Sequence, residues 1–202
     1  MKIICVGRNY PKHIEELQNA TPKSPIVFIK PDNAVLRNNE DFYYPTFSQN
    51  IHYEVELLVK FHKKGKNIQA KYANKYYNQI ALGIDFTARD IQNELKAKGY
   101  PWEIAKGFDS SAVLGKWRDV GHFDMQNIQF SLHKNGEVVQ NGNSKNMLFG
   151  IDEIIAYVSQ FFMLKIGDVL FTGTPSGVGS IQIGDRLTGY LQGEKNFEIN
   201  IK

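Results

Sequence analysis

The spacing of apolar and polar positions changes along the chain, and each spacing predicts an element. Residues 51–61, IHYEVELLVKF, alternate with a period of two. Tyr53, Val55, Leu57, Val59 and Phe61 fall on one face of an extended strand; His52, Glu54, Glu56, Leu58 and Lys60 fall on the other. Met1–Gly7, Pro25–Lys30 and Asn78–Asp85 carry short apolar runs that predict further strands. Residues 151–162, IDEIIAYVSQFF, repeat at helical spacing through Ile151, Ile154, Ile155, Val158, Phe161 and Phe162. A second helix is predicted over Thr87–Lys98, with Thr87 as its cap, Asp90 in its first turn, and Gly99 and Pro101 ending it. Asn127–Lys134 and Glu137–Gln140 predict a hairpin around Asn135-Gly136. Asn9–Ala20 reads as a short helix or turn, with Pro11 where a helix start tolerates it. TPKSP at 21–25 is a turn, 31–50 is a loop rich in aromatics, and the chain from Gly167 onward reads as strands and glycine turns.

Many short strands with few helices predict a β-rich α+β fold, since the helical crossovers of a large parallel sheet are too few. The length of 202 residues fits one domain over 1–202, and 42% apolar residues suffice for a sizeable core. No apolar run approaches a membrane span, and MKIICVGRNYPKH lacks the parts of a signal peptide, so a cytoplasmic protein with no membrane partner is expected. The single cysteine, Cys5, excludes an internal disulfide and a cysteine zinc site; within IICV it is expected as a buried strand residue. The net charge of +3 is scattered, apart from a cluster at His62–Lys66 that reads as a solvated hairpin turn. With no basic stripe interleaved with aromatics, no nucleic-acid partner is expected; the mild positive balance suits a small anionic substrate.

Like charges at Glu54 and Glu56 point the same way, roughly 6–7 Å apart along a strand. Either that face is wet, with Glu–Lys pairs across strands, or something positive sits between them. Asp85 ends a strand; if the two strands are neighbours, three carboxylates converge into a hard oxygen set suited to Mg²⁺, Mn²⁺ or Ca²⁺. His52 shares the face and is expected to orient other groups, not to ligate. Lys106, in PWEIAKGFDSSAVLG, is either a surface lysine or a partly buried one able to hold an oxyanion. Arg89 and Gln92 are spaced to share a helix face and line the same cleft. His13 and Glu16, at i, i+3, are an exposed pair or a dyad in which the carboxylate orients the imidazole to take a proton. The glycine-rich LFTGTPSGVGSIQIGD at 170–185 fits neither a phosphate loop nor a dinucleotide fingerprint; it can present amides and the Thr174 hydroxyl to a ligand.

Taken together, VGRNYPKHIEE at 6–16, HYEVELLV at 52–59, GIDFTARDIQ at 83–92, YPWEIAKGFDSSAVLG at 100–115 and GDVLFTGTPSGVG at 167–179 resemble the fumarylacetoacetate hydrolase family over nearly the whole chain. The chain is similar to its small single-domain acylpyruvate hydrolases and oxaloacetate decarboxylases. The resemblance implies a mixed β-sandwich or roll with a short N-terminal lid helix, and a homodimer. It also implies Mg²⁺ or Mn²⁺, with Ca²⁺ able to stand in within a crystal, held by Glu54, Glu56 and Asp85. His13, Glu16 and Lys106 match the family's catalytic positions, and Arg8, Arg89, Gln92 and Thr174 are the expected substrate-binding residues. Position 53 departs from the family in carrying Tyr where His is common, and Tyr53 is expected to point away from the metal. The implied reaction is hydrolysis of the C–C bond of a 3-acylpyruvate to pyruvate and a carboxylic acid, with His13 and Glu16 activating water and Lys106 stabilising the oxyanion. Oxaloacetate decarboxylation, its tautomerisation or a related isomerisation is the alternative, and a binding protein without turnover belongs to a different class. The aromatics of 31–50 are expected to shape the substrate-tail end of the pocket.

Overall fold

A computed structural model describes residues 1–36 and 40–202. Its strands, in chain order, are β1 (Ile3–Gly7), β2 (Ile26–Lys30), β3 (Val35–Leu36), β4 (Ile51–Tyr53), β5 (Val55–Phe61), β6 (Tyr77–Asp85), β7 (Thr87–Ala88) and β8 (Ala112–Leu114). They continue with β9 (Arg118–Asp119), β10 (Gln129–Lys134), β11 (Glu137–Asn143), β12 (Val169–Phe171), β13 (Gly179–Ser180), β14 (Arg186–Leu191) and β15 (Glu194–Asn200). The helices are α1 (Pro11–Glu16), α2 (Ala70–Ala73), α3 (Arg89–Lys98), α4 (Glu103–Lys106) and α5 (Ile151–Phe161).

The largest sheet runs β2-β1-β12-β5-β6-β8-β3, with β9 also on β6. Its pairings are antiparallel except β1–β12 and β3–β8. A four-stranded antiparallel sheet, β11-β10-β14-β15, and a small sheet, β13-β4-β7, complete the β-rich α+β fold.

Both faces of the large sheet are buried. Val55, Leu57, Val59 and Phe61 of β5 join Ile4 and Val6 of β1 in the main core, which α5 closes with Ile151, Ile154, Ile155 and Val158. On the reverse face Leu58 packs with Ile3, Cys5, Ala81, Val169 and Phe171 in a second apolar cluster. Glu56 of β5 and Glu54, just before it, are both buried, so their face is not wet: Glu54 is 5% exposed and Glu56 2%.

Three local expectations are corrected. The strand over 51–61 is broken at Glu54 into β4 and β5, which serve different sheets. The ladder is interrupted because Val55 N donates to the side-chain Oε1 of Gln140 (2.9 Å). Thr87 does not cap α3. It is a buried residue of β7, its hydroxyl donates back to Asp85 O (3.3 Å), and Ala88 holds the cap position without a side-chain bond. His62–Lys66 is not a tight hairpin turn: β5 and β6 do pair, but the connection between them carries α2. The end of α3 follows the expected pattern, with Gly99 left-handed at φ 67°.

Among the aromatics of 31–50, Phe42 stacks on Phe86 in the core (4.1 Å between centroids), Phe47 packs on Phe108 (5.3 Å), and Tyr43 is exposed. None of these is among the residues that line the cleft described below. Arg37, Asn38 and Asn39 of this loop lie outside the described residues.

Candidate active site

The carboxylates are brought together by register. Glu56 pairs with Gly83 across β5 and β6, and Asp85 N donates to Glu54 O (2.9 Å), placing Asp85 beside the strand break. Gly83 is required here because a Cβ would stand 2.2 Å from Val113 O of the neighbouring β8. One oxygen from each of Glu54, Glu56 and Asp85 lies within 4.8 Å of the other two.

Cations explain how two of the three carboxylates tolerate burial. Lys106 Nζ sits 2.9 Å from Glu54 Oε2 and 2.6 Å from Asp85 Oδ2. Arg89 also pairs with Glu54 Oε1. Burial works to raise the Glu54 carboxyl, but Lys106 and then Arg89 outweigh it and hold the group well below the usual carboxylate range. Burial likewise disfavours charge on Lys106, and Asp85 and Glu54 reverse this, so the ammonium is kept charged. Lys106 is 3% exposed and therefore not a surface lysine. Its ammonium also donates to the Thr87 hydroxyl (2.5 Å).

Glu56 differs. No cation pairs with it among the described residues; it accepts only the Gly173 N–H (2.6 Å). Burial, then Asp85 and Glu54, push its carboxyl well above the usual range. Gly173 takes φ 101°, and a Cβ there would lie 2.6 Å from Asn9 Cβ.

Sequence reasoning missed Lys30. Its side chain, 0% exposed, reaches Asp85 Oδ1 (2.7 Å), Ser111 Oγ and Ser111 O (both 3.0 Å), Phe86 O (3.3 Å) and Lys106 O. A lysine has three protons for these acceptors, and Asp85 Oδ1 is left without an aligned donor. The signal in IVFIKP is a lysine closing an apolar strand directly before proline.

A divalent cation suits what remains. The donor set is three hard carboxylates, Glu56 has no cation to support its ionised form, and Asp85 Oδ1 has an unused lone pair. These residues fit such an ion.

Across the cleft stands α1, with Pro11 at its start as expected. His13, 4% exposed, has Nδ1 3.2 Å from Glu16 Oε2; Glu16 Oε1 in turn accepts Gly177 N–H (2.9 Å). The dyad is therefore pinned, with His13 buried and Glu16 on the exposed side.

Arg89 spends each nitrogen on a different side chain: Nη2 on Glu54, Nη1 on Gln92 Oε1 (2.5 Å) and Nε toward His52 Nδ1 (3.4 Å). Burial, then Arg89, lowers the His52 imidazole to about 4, so it is neutral and accepts from Arg89 without contacting the carboxylate cluster. Tyr53 points to the main core, its hydroxyl against Gly179. The Thr174 hydroxyl accepts from Gln140 Nε2 (2.9 Å). Gln140 was also missed; it ties β5 to the glycine-rich passage by bonding Val55 N, Thr174 and Pro175 O (2.9 Å each).

One cleft is lined by all ten sequence-predicted site residues except Glu16, which reaches it through His13. Arg8 stands at its mouth with a left-handed φ of 58°.

The family described as fumarylacetoacetate (FAA) hydrolase C-terminal matches residues 2–201. The oxaloacetate tautomerase YcgM of Escherichia coli (strain K12) is 41% identical over 194 residues, covering 95% of this chain and 89% of that protein. A mitochondrial oxaloacetate tautomerase, FAHD1 of Bos taurus, is 36% identical over 201 residues, covering 99% and 91%. Among solved structures, a fumarylpyruvate hydrolase from Pseudomonas aeruginosa in complex with Mn²⁺ and pyruvate is similar at TM-score 0.94 and 33% identity, covering 100% of this chain and 89% of that one. The strand-rich fold, the buried carboxylate set and a match spanning the chain together establish that this protein belongs to the fumarylacetoacetate hydrolase family.

Proposed function

We propose that the chain is a divalent-metal-dependent enzyme of 2-keto acids, with keto–enol tautomerisation of oxaloacetate as the leading reaction and hydrolysis of 3-acylpyruvates, first expected from the sequence, as the second. The observation that carries this reading is the pinned His13–Glu16 dyad facing a buried carboxylate set and Lys106 within one cleft. Relatives named oxaloacetate tautomerase, 36–41% identical across almost the whole chain, support it.

Glu54, Glu56 and Asp85 would hold Mg²⁺ or Mn²⁺, which supplies Lewis acidity toward the keto and carboxylate oxygens of the substrate. With Nδ1 engaged by Glu16, His13 has Nε2 free to take the proton from C3. The electron pair of that C–H bond becomes the C2–C3 double bond, and charge moves to the 2-oxygen. Lys106, kept charged by Asp85 and Glu54, stabilises that oxygen until a water protonates it to the enol, and His13 returns its proton to solvent. The reverse step returns a proton from His13 to C3. Arg89, Gln92 and Thr174 line the cleft where the substrate carboxylate is held.

Hydrolysis of 3-acylpyruvates is the second reading, supported by the similarity to the fumarylpyruvate hydrolase. There His13 takes its proton from water, the hydroxide attacks the distal carbonyl, and C–C cleavage gives a carboxylic acid and the enolate of pyruvate, which is then protonated. Decarboxylation of oxaloacetate would instead release CO₂.

The test follows the enol absorbance of oxaloacetate and of acetylpyruvate with purified protein in Mg²⁺, with pyruvate and CO₂ assayed in parallel. Faster approach to the oxaloacetate keto–enol equilibrium without pyruvate supports the lead; pyruvate and acetate from acetylpyruvate support the second. His13→Ala is expected to lower the rate roughly 10²–10⁴-fold with metal binding unchanged. Full activity in that variant removes the proposed role of the dyad.

A further inference from the structure

The charges in the cleft say what the far end of the substrate carries. As ligands of a divalent cation Glu54, Glu56 and Asp85 would supply three negative charges, and Lys30, Arg89 and Lys106 are three positive charges in contact with Glu54 or Asp85. A bound divalent cation would leave this inner end at +2. The carboxylate of a 2-keto acid cancels one of those charges.

Two further cations stand at the mouth of the same cleft, and no carboxylate pairs with either among the described residues. Arg8 holds a left-handed φ of 58°, which an arginine adopts only when its surroundings impose it. Lys96, on α3, is half-buried and donates to Asn19 Oδ1 (3.1 Å), just beyond α1. Lys96, Arg8 and Arg89 all line the one cleft, and burial, then the like charges of Arg8 and Arg89, lower the Lys96 ammonium. Leu17, Phe28 and Trp102 supply apolar walls to the same cleft. A cleft that joins apolar walls to cations beyond those tied to the carboxylate set fits a short carbon chain with a carboxylate at each end.

Resting on the 2-keto acid reading, we infer that Lys96 and Arg8 form a subsite for a second, distal carboxylate, so the chain selects dicarboxylic 2-keto acids over those with a neutral tail. Arg89 faces both ends; Lys96 and Arg8 belong to the tail alone. Asn19 is the positioning residue for Lys96.

Binding decides this apart from turnover. Mg²⁺-loaded protein is titrated calorimetrically with ligand pairs matched in carbon number: oxaloacetate against 2-oxobutanoate, and 2-oxoglutarate against 2-oxopentanoate. The dianion of at least one pair is expected to bind about tenfold or more tightly, the size of one charge-assisted hydrogen bond at a half-buried site. Lys96→Met is expected to erase most of that preference while leaving the monoanions nearly unchanged, and Lys96→Arg to restore it. Equal binding of dianion and monoanion overturns the inference. So does a Lys96→Met variant that weakens both alike, or protein that binds neither. If the dianion preference holds and depends on Lys96 while no substrate turns over, the reaction reading fails and the subsite stands.

Discussion

Lys30 gives the sharpest test of how the site is held together. It touches no solvent, so its removal probes the support of the carboxylate set and not substrate contact. Lys30→Met keeps the length of the side chain and removes its charge and donors. The carbonyls are only partly deprived: Ser111 O still accepts Phe86 N–H (2.8 Å), and Lys106 O still accepts the Ser111 hydroxyl (2.8 Å). The dominant loss is the partner at Asp85 Oδ1, an oxygen already short of donors. Breaking a buried ion pair from one side costs about 3–5 kcal/mol. For a chain of this size that lowers Tm by roughly 6–20 °C. Removing both partners should cost less than the sum, because neither charge is then stranded. Urea melts in chelator on the wild type, Lys30→Met, Asp85→Asn and the double variant form the cycle, with an expected coupling of about 1–3 kcal/mol. A Lys30→Met variant within about 1 kcal/mol of wild type, or strict additivity in the double, would refute the claim that this lysine balances Asp85.

Other expectations follow from single contacts. Glu56→Gln removes an acid whose ionised form burial, Asp85 and Glu54 disfavour, and with it the cost of burying that acid at neutral pH, so metal-free protein should melt higher than wild type while calorimetric Mg²⁺ binding is lost; a lower melt in chelator contradicts this reading of Glu56. Gly173→Ala strains a φ of 101°, collides with Asn9 and disturbs the amide that Glu56 accepts, so metal affinity should fall roughly 10–100-fold by titration. Asp90 is held below the usual carboxylate range: burial opposes this, and the Ser48 hydroxyl and Gln49 amide (2.7 and 2.9 Å) outweigh it. A depressed value stabilises the fold above the usual carboxylate range and loses that contribution as pH falls through the depressed value. Asp90→Asn should therefore melt below wild type at neutral pH, with the gap closing in acid; a gap independent of pH points to lost hydrogen bonds and not to charge.

What the sequence made legible is what local geometry controls. Alternation put Glu54 and Glu56 on one face, helical spacing paired Arg89 with Gln92 and His13 with Glu16, and all of these pairs meet in the cleft. The choice between a wet face and a positive neighbour was not legible, because alternation usually marks a sheet with one solvated side. Here the reverse face is closed by Ile3, Cys5, Val169 and Phe171, which come from both ends of the chain. Burial of that face then dictates the rest. Carboxylates on a dry surface need compensating charge, and no residue of β5 or β6 that shares the face supplies it. The cations must arrive from elsewhere: Lys30 from the edge strand β2, and Lys106 from the end of α4, 52 residues beyond Glu54. Gln140 likewise reaches Val55 across 85 residues, at the break beside Glu54, whose side chain pairs with Arg89. Such partners have no period to betray them. Their only local trace is a lysine where an apolar element ends, as in IVFIKP and EIAKGF. Glu56 is the one carboxylate these distant cations do not reach, and that omission is what leaves the site a place for a divalent ion.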